Sequence, residues 1–180
     1  MDIPQPPGYG AAVPFDKDKH RRLGVATRSA AFARHLNFIY LTTAEFPRAC
    51  HDYPIAFVRD AHAVIVPIII TGLESESNLF IDKAGAWSAN HYCPAYIRRY
   101  PFFTVTLNRA ENPAGEALIC VDEGALVKGT ANLVDAAGKP TAAWREFEVL
   151  ITEMEIGRAS CRERVEIAGG GVSVKKTGDS

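Results

Sequence analysis

The chain has 180 residues, 47% hydrophobic and 23% charged, with 20 Lys and Arg against 21 Asp and Glu and a formal net charge of −1. That length suits one domain with enough apolar side chain for a real core. A near-neutral balance provides no broad basic face, so neither nucleic acid nor an anionic membrane is expected as a partner.

Residues 1–14 are rich in Pro and Gly and read as a loose arm. Phe15–Arg22 (FDKDKHRR) is a charged lead-in whose basic half should lie on the surface. Leu36–Leu41 (LNFIYL), β-branched and aromatic, predicts a strand. Thr43-Ala-Glu-Phe-Pro then reads as the start of a short helix, with Thr43 as its cap and Glu45 in the first turn; Pro54 closes it. Pro54–Arg59 and Ala63–Thr71 predict two strands across the hairpin-sized gap Asp60–His62. The second, AVIVPIIIT, is nearly all apolar and should be covered on both faces, while Pro67, lacking a ladder donor, argues for an edge or a bulge.

Asn78–Asp82, the turn Lys83–Gly85 and Ala86–Ser88 predict a third strand and a tight turn. Pro94–Arg99 suits one helical turn before Pro101. Phe102–Leu107 and Ala117–Val121 predict strands separated by a turn at Asn112–Gly115, and Asn132–Asp135 with the residues to Pro140 another strand and turn. Over Thr141–Glu155 a helix is predicted, capped by Thr141, with Trp144, Phe147, Leu150, Ile151 and Met154 on one face. The sum is an α+β fold: a mostly antiparallel sheet of short strands with a few segregated helices.

The end of the chain stands apart. Ile156–Val165 (IGRASCRERV) resembles one translated frame of a common sequencing adapter, and 166–176 resembles its continuation into a lysine-coding A-run. Residues 156–180 are therefore expected to be a non-native tail, with the natural C-terminus truncated, and are set aside from the fold. Of the Lys and Arg and the Asp and Glu, the tail holds 5 and 3, which leaves the body 15 and 18, a net of −3. The expected organisation is an arm over 1–14, a domain over 15–155 and the tail.

The body carries Cys50, Cys93 and Cys120, an odd set without framework spacing, which predicts reduced thiols; Cys161 belongs to the tail. The start, MDIPQPPG, has no basic stretch followed by an apolar run, so no signal peptide is expected, and Ala63–Gly72 is too short to span a bilayer. A cytoplasmic location follows, with arrival at the cell surface by a signal-less route as the other option.

Several blocks share one order: Leu36-Asn-Phe with Leu41–Pro47, Tyr53–Phe57, Gly72-Leu, Asn78–Asp82, Trp87, Pro94-Ala-Tyr-Ile-Arg-Arg-Tyr-Pro-Phe102, Leu118–Asp122 and Leu133–Pro140. In these the body resembles the bacterial SapC family, which is tied by name to paracrystalline surface layers. The block at 94–102 is the most specific. Ala63–Thr71 is more apolar than the resemblance implies, and the family's C-terminal helical part is missing. The resemblance implies association with a surface layer or its export machinery, and no particular reaction.

For chemistry the sharpest candidate is Tyr96, Arg98, Arg99 and Tyr100. Two adjacent guanidiniums between tyrosines suit a carboxylate or phosphate, with flat apolar contact from the rings. The competing reading pairs the arginines with Asp82 or Asp122 and buries Tyr100 and Phe102 in the core. Cys50-His51 and His91-Tyr-Cys93 offer four zinc donors, but neither pair has finger spacing, and adjacent side chains diverge. Cys93 with His91 or His51 would make a thiolate pair, against inert packing. Asp82 and Asp122 are either a carboxylate pair or turn caps. The body holds no Gly-x-Ser-x-Gly elbow, no His-Glu-x-x-His and no phosphate-cradling glycine loop.

The expected function is therefore non-catalytic: binding an unidentified peptide or protein partner during export or assembly of surface-layer proteins, with no cofactor. The alternative is a metal-dependent enzyme, or an obligate accessory subunit of a peptide-modifying enzyme, with Cys50, His51, His91 and Cys93 as ligands. A third outcome is that the truncated product exposes apolar surface and aggregates.

Overall fold

The computed structural model describes residues 5–25, 29–59, 63–109, 112–129, 132–135 and 137–154. The adapter-like tail, the first four residues of the arm and the Asp60–His62 gap lie outside the described residues. In chain order the elements are β1 (Ala12–Pro14), α1 (Lys17–His20), β2 (Leu23–Val25), β3 (Phe38–Tyr40), α2 (Phe46–Ala49), β4 (Ile55–Arg59), β5 (Ile65–Ile70), α3 (Ala95–Arg98), β6 (Phe102–Arg109), β7 (Asn112–Asp122), β8 (Leu126–Lys128) and a helix over 142–154 (α4). Every strand pair is antiparallel, in three small sheets ordered β1-β7-β6, β2-β8 and β3-β5-β4, so the fold is α+β as expected.

The pleat of β6 and β7 divides the interior. Side chains alternate faces along a strand, so a register sorts them into two sets. Phe103 pairs with Cys120 and Val105 with Leu118; these join a core built with Ile39, Leu41, Ile69, Tyr96 and Ile97. Phe102 pairs with Val121 and Thr104 with Ile119 on the other face, where Phe102, Val121 and Ile119 meet Leu126, Leu133, Trp144, Phe147 and Ile151. The predicted stripe of α4 is buried in full, and the Thr141 hydroxyl accepts the Trp144 N–H at 3.4 Å as the expected cap. The rings of Phe15 and Trp144 stack at 4.6 Å, so α4 also rests on the N-terminal segment.

Several expectations are corrected. Residues 5–14 are docked, not loose: Tyr9 is buried and β1 pairs with β7. His20, assigned to the surface, is fully buried in a stack with Phe15, while Arg21 and Arg22 are exposed. Pro67 sits on the central strand of its sheet rather than at an edge. Its carbonyl accepts the Leu41 N–H at 3.0 Å. The amide and carbonyl of one residue face the same neighbour, so the missing donor falls just past the end of β3, where no ladder partner is needed.

The stretch 78–88 forms one bridge, Ile81 to Trp87, around a turn with Gly85 at φ +86, and no third strand. Likewise Val134 and Pro140 make a single bridge across their turn. Asn112–Gly115 belongs to β7 itself, with Asn112 opposite Arg109.

Candidate functional site

Pro94 opens α3 in extended geometry and Pro101, after a cis Tyr100–Pro101 bond, forbids its continuation. In one helical turn, residues three and four apart share a face. Tyr96, Arg99 and Tyr100 therefore share one side, and Arg98 takes another. Burial follows that division only in part: Tyr96 and Arg99 are buried and Arg98 is half-buried, but Tyr100, on the side of Tyr96 and Arg99, is half-buried too.

Arg98 is oriented from below. Its Nε donates to the Cys93 carbonyl at 3.0 Å and one Nη to the Tyr92 hydroxyl at 3.2 Å, with the guanidinium 5.8 Å from the Tyr92 ring centre. Tyr92 in turn donates to Glu45 Oε1 at 3.0 Å, and the Ala95 N–H reaches the same oxygen at 2.7 Å. Glu45 Oε2 accepts the N–H and the hydroxyl of Thr42 at 2.8 and 2.9 Å. The cap of the short helix is thus Thr42, one residue before the expected Thr43, and Glu45 is a buried anchor that holds α2 and α3 together.

On the other side, Arg99 lies 5.0 Å from the centre of the Tyr96 ring, and its buried Nε has no acceptor among the described residues. A ring face takes the place that a carboxylate usually fills beside a buried cation. The Tyr96 hydroxyl donates to the Pro7 carbonyl at 2.7 Å. Tyr100 stacks on Phe32 at 4.0 Å and donates to Asp122 Oδ2 at 3.1 Å. Buried Asp122 also accepts the N–H of Gly10 at 2.8 Å, of Ala11 at 3.1 Å and of Gly124 at 3.3 Å. The expected ion pairs from Arg98 or Arg99 to Asp82 or Asp122 do not form among the described residues, where Glu123 pairs with Lys19 at 2.7 Å.

Burial keeps the hydroxyls here as neutral donors. It pushes Tyr9 up to about 12, with the Arg99 charge opposing, and Tyr92 up to about 12, with Glu45 adding to the rise and Arg98 opposing. Tyr96 and Tyr100 are raised by burial as well. The Cys93 thiol is pushed up to about 11 by burial despite Arg98, which removes it as a thiolate nucleophile at neutral pH. What the block offers chemically is a half-buried arginine whose guanidinium is oriented by two fixed acceptors, the Cys93 carbonyl and the Tyr92 hydroxyl.

The remaining candidates are scattered. Cys50 and His51 are exposed, His91 Nδ1 lies 2.8 Å from Ser88 Oγ, and among the described residues no three His, Cys, Asp or Glu side chains gather as a metal-holding group. Asp82 is exposed and takes the Ala86 N–H at 2.9 Å, so it caps a turn. No helix among the described residues is long and apolar enough to cross a membrane. Sequence reasoning missed Tyr9, Tyr92 and the anchoring role of Glu45; the Thr42-x-x-Glu45 spacing of a capping box was the available signal for the last.

These features define an α+β domain with an aromatic–arginine block at the junction of one short helix and one strand. Its sequence matches the SapC family model over residues 15–167, and the chain belongs to that family. No curated protein and no solved structure is matched.

Proposed function

We propose that this is a non-catalytic bacterial protein that binds a peptide or protein partner in the export or assembly of surface-layer proteins. Tyr96, Arg98, Arg99 and Tyr100 form the contact block, and the protein works from the cytoplasm or reaches the surface by a signal-less route. The observation that carries the reading is Arg98. A half-buried arginine whose guanidinium is fixed by Tyr92 and the Cys93 carbonyl is pre-organised for a carboxylate, with little side-chain freedom left to lose on binding. Arg99, Tyr96 and Tyr100 stiffen the turn beneath it. The family's name supports the surface-layer setting.

The test is capture of surface-layer protein by the purified chain. Arg98→Ala should abolish capture with little change in the melting temperature, and Arg98→Lys, which keeps the charge but loses the fork, should weaken it. Undiminished capture by Arg98→Ala sinks the reading.

A further inference from the structure

The family match begins at residue 15, yet the segment before it fills a site that the matched domain builds. β6 covers one edge of β7; the other is paired only with β1, from Pro14 opposite Cys120 to Ala12 opposite Asp122. Ahead of β1, Tyr9 enters a cage of Phe32, Tyr96, Tyr100 and Phe103, ring centres 5.4, 6.2, 5.1 and 5.2 Å away and all edge-on. Its hydroxyl donates to the Phe102 carbonyl at 3.3 Å.

The polar contacts of the rest of the segment run through its backbone. Asp122 takes the N–H groups of Gly10 and Ala11, and Tyr96 donates to the carbonyl of Pro7. The side chains of Pro7 and Ala11 are exposed and those of Ala12 and Val13 are only partly buried, so Tyr9 is the one fully buried anchor of the segment. Gly8 is selected by space: its φ is +82, and a Cβ there would sit 2.5 Å from the Phe32 carbonyl oxygen. The resident segment brings the Tyr9 hydroxyl to the Arg99 charge, yet Arg99 Nε, in a residue 4% exposed, has no acceptor among the described residues. Strand addition to an open edge with one side-chain pocket is a recurring mode of peptide capture.

We infer that the Asp122 end of β7 with its tyrosine cage is an acceptor site for an extended peptide that carries a Gly-Tyr step. Residues 6–14 occupy it in cis and are displaced by a partner segment of the same pattern. The inference rests on reading the Tyr96–Tyr100 block as a peptide contact, and it names what that contact selects.

A labelled peptide spanning Gln5–Phe15 tests it, titrated into the full chain and into full-length Tyr9→Ala. The tethered arm competes at high effective concentration, so the peptide should bind Tyr9→Ala about ten-fold more tightly or better, and a peptide with its tyrosine replaced by alanine should not bind. Hydrogen exchange on the unmodified protein gives a second readout independent of that variant's folding. The Gly10 and Ala11 amides should exchange through local opening, well before the amides of β6. Exchange of those amides only with global unfolding makes the arm a permanent part of the fold and overturns the inference. So does a folded Tyr9→Ala chain that ignores the peptide. If capture of surface-layer protein still depends on Arg98 in that case, the contact block stands and only the arm site is lost.

Discussion

The Ala95 N–H donates to the Glu45 carboxylate at 2.7 Å across fifty residues of chain, and this bond joins the start of α3 to α2. The same carboxylate satisfies the N–H and hydroxyl of Thr42 and the hydroxyl of Tyr92, so one buried side chain serves four donors. Glu45→Ala strands those donors, three of them in buried bonds and the fourth in a part-buried one. The expected loss is about 3 kcal/mol in denaturant unfolding, since each buried donor left unpaired costs on the order of 1–3 kcal/mol and relaxation recovers part of it. Glu45→Gln, which keeps the shape and some of the acceptors, should cost less. Equal unfolding midpoints for the two variants would refute the account.

Where hydrophobic periodicity spans many residues, the fold was legible from the sequence. The α4 stripe from Trp144 to Met154 and the β4–β5 pair form where the pattern puts them, and β6 and β7 form over the predicted strands but run on through the expected turn at Asn112–Gly115. It was illegible where one residue carries the structure. Tyr9 is the one fully buried side chain of an arm whose composition is that of a loose segment, and β1 is too short for any period to show. Pro67 misled because its missing donor matters only on the side where β3 has already ended, and a strand's neighbours are not written in its own residues. The candidate block was found by residue type, but its division into a buried Arg99 and a half-buried Arg98 depends on which face of α3 meets the core.

Asp122 should control how firmly the arm is held. Its carboxylate receives Gly10, Ala11, Gly124 and Tyr100, and Asp122→Ala removes all four acceptor contacts. A loss of about 2 kcal/mol is expected, because water reaches part of the vacated site. Trypsin should then cut first at Lys17, Lys19, Arg21 or Arg22, as β1 and α1 come free of β7. Mass spectrometry of a brief digest reads the outcome directly; an unchanged cleavage pattern would show that β1 holds without the carboxylate.

Cysteine reactivity separates packing from chemistry. Cys50 is exposed, whereas the thiols of Cys93 and Cys120 are raised by burial, Cys93 to about 11. Only the thiolate alkylates, so at pH 7.5 iodoacetamide should modify Cys50 well ahead of the other two. Peptide mapping over a time course gives the three rates. Cys93 reacting as fast as Cys50 would restore it as a candidate nucleophile.

Alkaline pH should unfold the protein through its tyrosines. Five of the six, Tyr9, Tyr53, Tyr92, Tyr96 and Tyr100, are raised by burial, Tyr9 and Tyr92 to about 12 and the rest further. An unfolded phenol ionises near 10, so between that pH and 12 the native state keeps protons that the unfolded chain gives up. The contribution to stability is therefore complete below about pH 10 and is lost as pH climbs through the folded values. Phenolate absorbance should lag behind that of the denatured chain and then rise abruptly together with loss of circular dichroism. A smooth titration near pH 10 with unchanged dichroism would mean that Tyr9 and its neighbours are open to solvent, and the docked arm with its tyrosine cage would have to be abandoned.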